Sequence, residues 1–158
     1  MRSVKKLRLI TVLAALTGMT SIGLSGEGSA ASPSTRADSA IRNAGNGFCL
    51  DIETYNVGEP VILWPCHGGT SQQWRSLSDG TIRNAGNGFC LDIKTYNVGE
   101  PVILWPCHGG TSQQWRSLSD GTIRNAGNGF CLDIKTYNVG EPVILWPCHG
   151  GTSQQWQR

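Results

Sequence analysis

The sequence predicts an all-β fold, a β-trefoil in which three repeats of four short strands close with pseudo-threefold symmetry. Three observations lead to this prediction. A unit of about 41 residues occurs three times, because Cys49, Cys90 and Cys131 follow one another at intervals of 41. Each unit contains short alternating runs of apolar and polar residues, separated by turn residues. No helical periodicity is found beyond the first segment of the chain.

Closure of the three repeats is expected because a unit this small cannot bury its apolar face alone. Open strand edges would also favour aggregation. A three-bladed propeller falls below the usual number of blades, and a linear solenoid would need polar end caps that this chain lacks. We therefore predict a six-stranded barrel capped by three hairpins, in which the last strand, at Trp156, pairs with the strand near Ile41.

The second repeat illustrates the first two strands. Residues 81–84 form a short alternating run, and residues 85–88 contain Asn-Gly, the strongest short hairpin signal. The next run, 89–93, alternates so that Leu91 faces the core and Asp92 faces the opposite side. This pattern predicts a hairpin with one apolar face.

The rest of the repeat is predicted to contain, in order, a loop, a strand, a flexible loop and a fourth strand, over residues 94–101, 102–105, 108–112 and 113–118. In the fourth strand, Gln113 and Trp115 are expected to share a face. The predicted core consists of the following residues and their equivalents in the other repeats: Leu50, Ile52, Val61, Leu63, Trp74 and Leu77. The position of Glu53, which is Lys in the later repeats, is predicted to be exposed and tolerant.

The first 31 residues are predicted to be a cleaved secretory signal peptide. Four basic residues precede an apolar run and then small residues, and polar side chains within the run argue against the alternative of a membrane anchor. Residues 32–38 are predicted to be a linker. The folded domain is expected to span 39–158, with repeats 39–79, 80–120 and 121–158.

Charge excludes several classes of partner. The whole chain carries a net charge of +2, but the predicted leader holds four basic residues and one acidic residue, so the remainder carries about −1. No cluster of Lys and Arg remains after the leader, so neither nucleic acid nor an anionic polysaccharide is expected to bind through long-range electrostatics. Membrane insertion is not expected either.

Six cysteines occur as two per repeat, which in a secreted chain indicates disulfides. Because the repeat imposes the same pairing on each copy, we predict the bridges Cys49–Cys66, Cys90–Cys107 and Cys131–Cys148. Each is worth about 3 kcal/mol in the chain-entropy model. Zinc is the alternative, since His67 follows Cys66, but the ligand spacings of zinc modules are absent. No metal and no cofactor are expected.

The polar face of the hairpin suggests a site for a neutral sugar. Such a site needs an acceptor for hydroxyls, an aromatic ring for the C–H face and donors at the rim. Asp92 offers the acceptor and Trp105 the ring, and the bridge from Cys90 to Cys107 lies two residues from each of them. Carboxylate, indole and bridge are expected to face water together. Gln113 is expected to brace the carboxylate.

Three motifs carry a resemblance to a known family. Cys-Leu-Asp-Ile, then Leu-Trp-Pro-Cys-His, then Gln-Gln-Trp occur in this order in every repeat. The pattern resembles the ricin-B-type lectins and the related trefoil carbohydrate-binding modules, whose signature is Q-x-W. The resemblance covers residues 39–158 and implies a β-trefoil that binds carbohydrate without catalysis.

The resemblance also implies which residues bind sugar: an Asp, an aromatic, a loop His, the residue before Q-x-W and its Gln. In this sequence they are Asp51, Trp64, His67, Ser71 and Gln72, then Asp92, Trp105, His108, Ser112 and Gln113, then Asp133, Trp146, His149, Ser153 and Gln154. Ser stands where the family usually has Asn, which removes one donor, and the loop before the Trp is shorter than is common. His67 is equally compatible with ligand contact and with a solvated loop. Tyr55 is predicted to anchor its loop.

We therefore expect a secreted, monomeric, trivalent lectin that recognises galactose- or xylose-type sugars of a polysaccharide or cell-surface glycan, with one shallow site per repeat. A protein-binding trefoil, such as a protease inhibitor, is the alternative. An enzyme is not expected, because the chain has no G-x-S-x-G nucleophile elbow. It also lacks an evident carboxylate pair for glycoside hydrolysis, unless Glu59 serves beside Asp51.

Overall fold

Residues 37–158 are described by the structure, a computed structural model, and they form twelve short strands and three single-turn 3-10 helices. The predicted signal peptide and residues 32–36 of the predicted linker lie outside the described residues. The strands are β1 Arg42–Asn43, β2 Cys49–Asp51, β3 Ile62–Trp64, β4 Trp74–Ser76, β5 Ile82–Asn84, β6 Cys90–Ile93, β7 Val102–Trp105, β8 Trp115–Ser117, β9 Ile123–Asn125, β10 Cys131–Ile134, β11 Glu141–Trp146 and β12 Trp156–Gln157. The fold is the predicted β-trefoil, with four strands per repeat.

Three antiparallel pairs join the last strand of one repeat to the first strand of the next. They are β4 with β5, β8 with β9, and β12 with β1. The last pair closes the ring, because Trp156 lies opposite Asn43. Within the first repeat, Ser39 and Trp74 exchange backbone hydrogen bonds of 3.1 and 3.0 Å. The pairing of β12 with β1 confirms the predicted pairing of the chain's last strand with its first.

The three hairpins β2–β3, β6–β7 and β10–β11 lie between the barrel strands of each repeat. They also touch one another in a closed cycle, since Pro60 bridges to Ile103 and Pro101 to Ile144. The third contact of the cycle pairs Pro142 with Ile62. Proline suits these edge positions because it has no N–H to contribute to a ladder.

One apolar cluster fills the interior, and each repeat contributes six residues to it. They are Ile41, Leu50, Ile52, Val61, Leu63 and Trp74, with the equivalents Ile82, Leu91, Ile93, Val102, Leu104 and Trp115, and Ile123, Leu132, Ile134, Val143, Leu145 and Trp156. The indole N–H of Trp74 donates to the Leu50 carbonyl at 3.1 Å, so this buried donor is satisfied. The prediction of the core was therefore right for five of its six positions.

Leu77 is the exception in the predicted core. Strand β4 ends at Ser76, and the Leu77 N–H then donates to the Thr81 carbonyl in a turn, so the alternation that would bury Leu77 stops. Leu77 is only half-buried, and Leu118 is 40% exposed. In the equivalent turn after Leu118, hydrogen bonds from the Thr122 hydroxyl and N–H lower the pKa of Asp120 below its ordinary value.

The fourth strand is also shorter than predicted. Residues 113–118 were expected to form it, but Thr111–Gln113 forms a 3-10 helix and only Trp115–Ser117 is strand. Gln113 and Trp115 therefore do not share a strand face. Gln113 turns to the hairpin of its own repeat, as described below, and Trp115 enters the core.

Tyr55 connects its repeat to the next one. Its hydroxyl hydrogen-bonds to the Thr70 hydroxyl at 2.8 Å, and its backbone carbonyl accepts from the Asn87 side chain at 3.3 Å. The ring lies so close to Gly86 that a Cβ there would overlap it. Tyr96 and Tyr137 have the same contacts with Gly127 and Gly45. The tyrosines therefore anchor the loops, as expected, and interlock the repeats around the ring.

No helix of residues 37–158 is long and apolar enough to cross a membrane.

We predict that Gly86→Ala lowers the free energy of unfolding by about 1–3 kcal/mol, because the new methyl group displaces the Tyr55 ring. In a Tyr55→Ala background the same change should be neutral or slightly stabilising, since alanine restricts the unfolded chain. Urea denaturation of the four proteins measures this cycle. Equal effects of Gly86→Ala in both backgrounds would show that the ring does not require the glycine.

Candidate functional site

Strand register places the candidate site residues on one face of each hairpin. In the second repeat, Cys90 lies opposite Trp105 and Asp92 opposite Ile103. These four residues share the face that points away from the core, because Leu91 and Leu104 point into it. Asp92 and Trp105 are thus diagonal neighbours, at a typical separation of about 7–8 Å.

Each hairpin carries its own disulfide at the base of this face. The bridges are Cys49–Cys66, Cys90–Cys107 and Cys131–Cys148, each with a Cα–Cα distance of 5.2 Å, as predicted. The second cysteine of each pair follows the Trp-Pro segment that ends the hairpin. The bridge therefore ties the loop that carries the histidine to the strand that carries the aspartate.

An open cleft lies over this face. In the first repeat its volume is about 300 Å³ and its lining residues are Asp51, Ile52, Glu53, Ile62, Trp64, His67 and Ser71. In the second repeat the volume is about 280 Å³ and the lining residues are Asp92, Ile93, Lys94, Ile103, Trp105, His108 and Ser112. We call these the first and second clefts, and the corresponding region around Asp133 the third cleft. The sequence-predicted residues Asp, Trp, His and Ser meet in one place.

The aspartate is more deeply buried than expected. Asp51 was predicted to face water, yet only 5% of its surface is exposed. One carboxylate oxygen, Oδ1, accepts the Ile52 N–H at 2.8 Å. The other, Oδ2, accepts the Gln72 amide at 2.9 Å and lies 3.0 Å from Nε2 of His67. These partners offset the cost of burying the carboxylate, which remains at the edge of the cleft.

Gln72 is the brace that the sequence suggested, and it is fully buried. Its amide nitrogen donates to the Asp51 carboxylate and, at 3.0 Å, to the Pro65 carbonyl. Its amide oxygen accepts the backbone N–H of His67 at 2.7 Å and that of Gly68 at 3.3 Å. One side chain thus fixes the aspartate and the loop after the disulfide relative to each other. Gln113 and Gln154 do the same in the other repeats.

His67 contacts the aspartate and so takes up part of the acceptor capacity that was expected for a sugar. Gly69 donates its N–H to Nδ1 of His67 at 3.1 Å, so Nε2 carries the hydrogen and donates to Asp51. A Cβ on Gly69 would lie 2.8 Å from Cε1 of the ring, so only glycine allows this approach. The imidazole is half-exposed, with 47% of its surface accessible.

The indole is an exposed apolar surface in the cleft. Trp64 is 37% exposed, whereas the tryptophans of the Q-x-W motifs are buried. The neighbouring repeat lies beside the far edge of this ring, since a Cβ added to Gly140 would be 3.8 Å from its Cζ3 atom. Gly58 and Gly99 lie in the same way against Trp105 and Trp146. The residues that line the first and second clefts each come from one repeat, and a neighbouring repeat lies beside the edge of the indole.

The serine before each Gln-Gln-Trp offers a free hydroxyl. Ser71 is half-buried and lines the cleft, and its hydroxyl makes no hydrogen bond with another residue of the described chain. The same holds for Ser112 and Ser153 among residues 37–158. This hydroxyl can donate to or accept from a ligand.

Two kinds of cleft residue were missed from the sequence. Ile62 and Ile103, which are 8% and 5% exposed, line the clefts between aspartate and indole. The alternation that placed Trp105 on the outer face also places Ile103 there. Glu53 and Lys94 line the first and second clefts, two positions after the aspartates, although this position was predicted only to be exposed. The same alternation could have found them.

A cleft elsewhere in residues 37–158 has its charged groups already engaged. One cleft of about 220 Å³ between the first two repeats is lined by Arg75 and Arg83 among others. Both arginines are already paired, with Asp38 at 2.7 Å and Asp79 at 3.1 Å. The described residues contain no group of three or more His, Cys, Asp and Glu side chains arranged to hold a metal ion.

We predict that Gln113→Ala lowers the free energy of unfolding by about 2–4 kcal/mol, because it leaves the Pro106 carbonyl and the His108 N–H without partners inside the protein. The matched control is Gln114→Ala, since the Gln114 side chain makes only an exposed hydrogen bond to the Gly109 carbonyl. It should cost less than about 1 kcal/mol. Chemical denaturation measures both, and equal losses would contradict a bracing role.

The comparisons with known proteins identify the family. The sequence matches the ricin-type beta-trefoil lectin domain over residues 37–156. A search of curated proteins finds no match. Among solved structures, the designed threefold-symmetric protein ThreeFoil is 32% identical, with a TM-score of 0.70 over 75% of this chain and 94% of its own.

Two similar natural proteins were solved with sugars. The C-half of an earthworm R-type lectin, in complex with GalNAc, is 27% identical, with a TM-score of 0.67 over 77% of this chain and 97% of its own. A non-toxic homologue of type II RIPs from Momordica charantia (bitter gourd), in complex with α-methyl-D-galactoside, is 26% identical, with a TM-score of 0.70 over 80% of this chain. This chain spans 48% of the bitter-gourd protein. From the family match and the shared fold, the chain belongs to the ricin-type β-trefoil lectin domain family, whose members bind carbohydrate.

Proposed function

We propose that this protein is a secreted, monomeric, trivalent lectin that binds galactose- or xylose-type sugars, with one shallow site in each repeat. One observation carries the proposal: each hairpin holds a braced carboxylate beside an exposed indole, at the edge of an open cleft. This pairing supplies the acceptor and the flat apolar surface that a pyranose ring needs.

Each cleft offers a small number of contacts. A carboxylate has about four lone-pair positions, and in Asp51 three are used by Ile52, Gln72 and His67. About one position is left for a sugar hydroxyl. Ser71 adds one hydroxyl, and Trp64 adds the stacking face. Because the carboxylate and the indole are already held in place, little ordering is needed on binding.

Few contacts imply weak binding at each cleft, which makes the threefold repetition useful. A polymer or a cell surface that reaches two or three clefts at once gains about 10²–10⁴ in avidity if the spacing matches. The clefts belong to one closed ring of repeats, so their relative positions are fixed.

Galactose-type sugars gain support from the two natural relatives solved with GalNAc and with α-methyl-D-galactoside. Ser71, Ser112 and Ser153 stand where the family usually has Asn, so the clefts have one donor fewer at this position. With one donor fewer, the clefts differ from the family's usual site, and the proposal therefore includes xylose-type sugars, which lack the C6 hydroxymethyl group.

Secretion is supported by the three disulfides, which persist in oxidising compartments. Binding without catalysis is supported by the second cleft, which is lined by a single carboxylate, that of Asp92. In the first cleft Glu53 is a second carboxylate, but Asp51 is already engaged by Ile52, Gln72 and His67. Hydrolysis by a carboxylate pair requires two. Glu59, the alternative partner, instead accepts a hydrogen bond from the Thr54 hydroxyl at 2.6 Å and does not line the first cleft.

Titration of the full chain with methyl β-galactoside or methyl β-xyloside should give about three equivalents of bound neutral sugar. Replacing Asp51, Asp92 and Asp133 together by Asn should abolish binding. The hydrogen-bond donors around each position then meet a neutral amide, which is a weaker acceptor than a carboxylate. The indole N–H signals of Trp64, Trp105 and Trp146 in NMR spectra report the titration.

The matched control replaces the turn residues Asp79 and Asp120, which line neither the first nor the second cleft, by Asn. This variant should bind as the parent does. A chain that binds neither sugar, or a triple variant that still binds, would refute the proposal. Release of reducing ends from galactan or xylan would show an enzyme, and capture of a protease that free sugar does not reverse would show the protein-binding alternative.

A further inference from the structure

We propose that the residue two positions after each aspartate sorts acidic from neutral sugars, so that the three clefts are not equivalent. The second and third clefts, with Lys94 and Lys135, favour pyranosides that carry a carboxylate or sulfate group, and the first cleft, with Glu53, rejects them. This inference rests on the proposed carbohydrate binding and specifies the ligand class of two of its sites.

The first observation is the pattern of sequence identity. Residues 41–79 and 82–120 differ at one position, where the first has Glu53 and the second Lys94. Residues 123–156 repeat the second copy with Lys135. The substitution reverses the sign of a charge, whereas every other residue of the clefts is unchanged.

The second observation is the place of this one difference. Glu53 lines the first cleft and Lys94 lines the second, each together with the aspartate, the indole and the histidine. Both side chains are exposed at the cleft mouth. Lys135 follows Asp133 at the same spacing and is also exposed. The only difference between residues 41–79 and 82–120 therefore falls where a bound sugar would meet it.

The third observation is that these charged side chains have no partner among the described residues. Among residues 37–158, neither Glu53 nor Lys94 nor Lys135 forms an ion pair or a side-chain hydrogen bond. The nearby Glu100 accepts a hydrogen bond from the Thr95 hydroxyl at 2.7 Å. The ammonium groups are thus free to meet a ligand.

The formal charge of each cleft follows directly. With a neutral imidazole, the first cleft is lined by two negative groups, Asp51 and Glu53, and by no positive one. The second is lined by Asp92 and Lys94, which balance. An anionic substituent is therefore repelled from the first cleft, whereas in the second it meets a balanced site with an ammonium donor. The net charge of the chain gives no sign of this, because one lysine per cleft does not make a basic cluster.

The size of the effect is modest, since these charges are exposed. A single exposed ion pair changes affinity by about two- to fivefold. Exchanging attraction for repulsion should therefore change affinity for an acidic sugar by about tenfold at low salt, and less at high salt because ions screen exposed charges.

The test compares single-cleft proteins. Asp92→Asn with Asp133→Asn leaves only the first cleft competent, and Glu53→Lys is then added in the same background. The probes are methyl β-galactoside and methyl β-xyloside with their acidic counterparts: methyl β-galacturonoside, methyl β-galactoside 6-sulfate and methyl β-glucuronoside. The carboxylates and the sulfate distinguish the two sources of negative charge. NMR titration at about 20 and 300 mM salt gives the affinities.

We expect Glu53→Lys to raise the ratio of acidic to neutral affinity about tenfold at low salt. In the otherwise unaltered chain, Lys94→Glu with Lys135→Glu should lower this ratio by a similar factor. The matched control, Arg42→Glu with Arg116→Glu, makes the same change in net charge at exposed residues that line neither the first nor the second cleft and form no ion pair in the described chain. It should leave the ratio unchanged.

If neutral sugars bind but the ratio of acidic to neutral affinity is the same in all these variants, this inference is overturned and the proposed lectin function remains intact. A ratio that moves as much in the arginine control as in the lysine variant would also overturn it, since the effect would then come from net charge alone. Failure of every probe to bind the parent chain would overturn both proposals together.

Discussion

The site depends on keeping a carboxylate nearly buried on the side of the hairpin that faces away from the core. Asp51 can remain there because it accepts hydrogen bonds from three groups: the Ile52 N–H just after β2, His67 of the disulfide-tied loop and Gln72 of the 3-10 helix. Burying this group without those donors would cost several kcal/mol. The carboxylate therefore depends on the His and the Gln of its own repeat, and their loop is closed by a disulfide and shaped by Gly69.

The clefts also depend on the closed ring. A single repeat supplies the aspartate, histidine, serine and indole, but Gly58 of the preceding repeat lies beside the ring of Trp105, and the Tyr55 ring packs on Gly86 of the next repeat. A repeat on its own would leave its apolar face exposed and its tyrosine without the glycine of the next repeat. Barrel closure and site formation are thus linked, and all three clefts should be lost together when the ring opens. A change of charge at Glu53, Lys94 or Lys135, in contrast, affects only the cleft of its own repeat.

Much of this could be predicted from the sequence. The period of 41, the alternation in 89–93 and 102–105 and the one consistent cysteine pairing lead to the strands, the core face and the bridges. The predictions were wrong where a turn interrupted the alternation: Gln113 lies in a 3-10 helix, and Leu77 lies in a turn. The contact of His67 with Asp51, and the burial of that carboxylate, arise from a loop conformation that no periodicity encodes. Glu53 and Lys94 were within reach, since they continue the alternation from the aspartates.

The central claim is that the braced carboxylate and the exposed indole together hold a pyranose. Crystals of the full chain soaked with methyl β-galactoside or methyl β-xyloside test it most directly. The account predicts a sugar in each of the three clefts, with its C–H face on Trp64, Trp105 or Trp146 and one hydroxyl within about 3 Å of the adjacent aspartate. Sugar density elsewhere on the surface, with the three clefts empty, would contradict it.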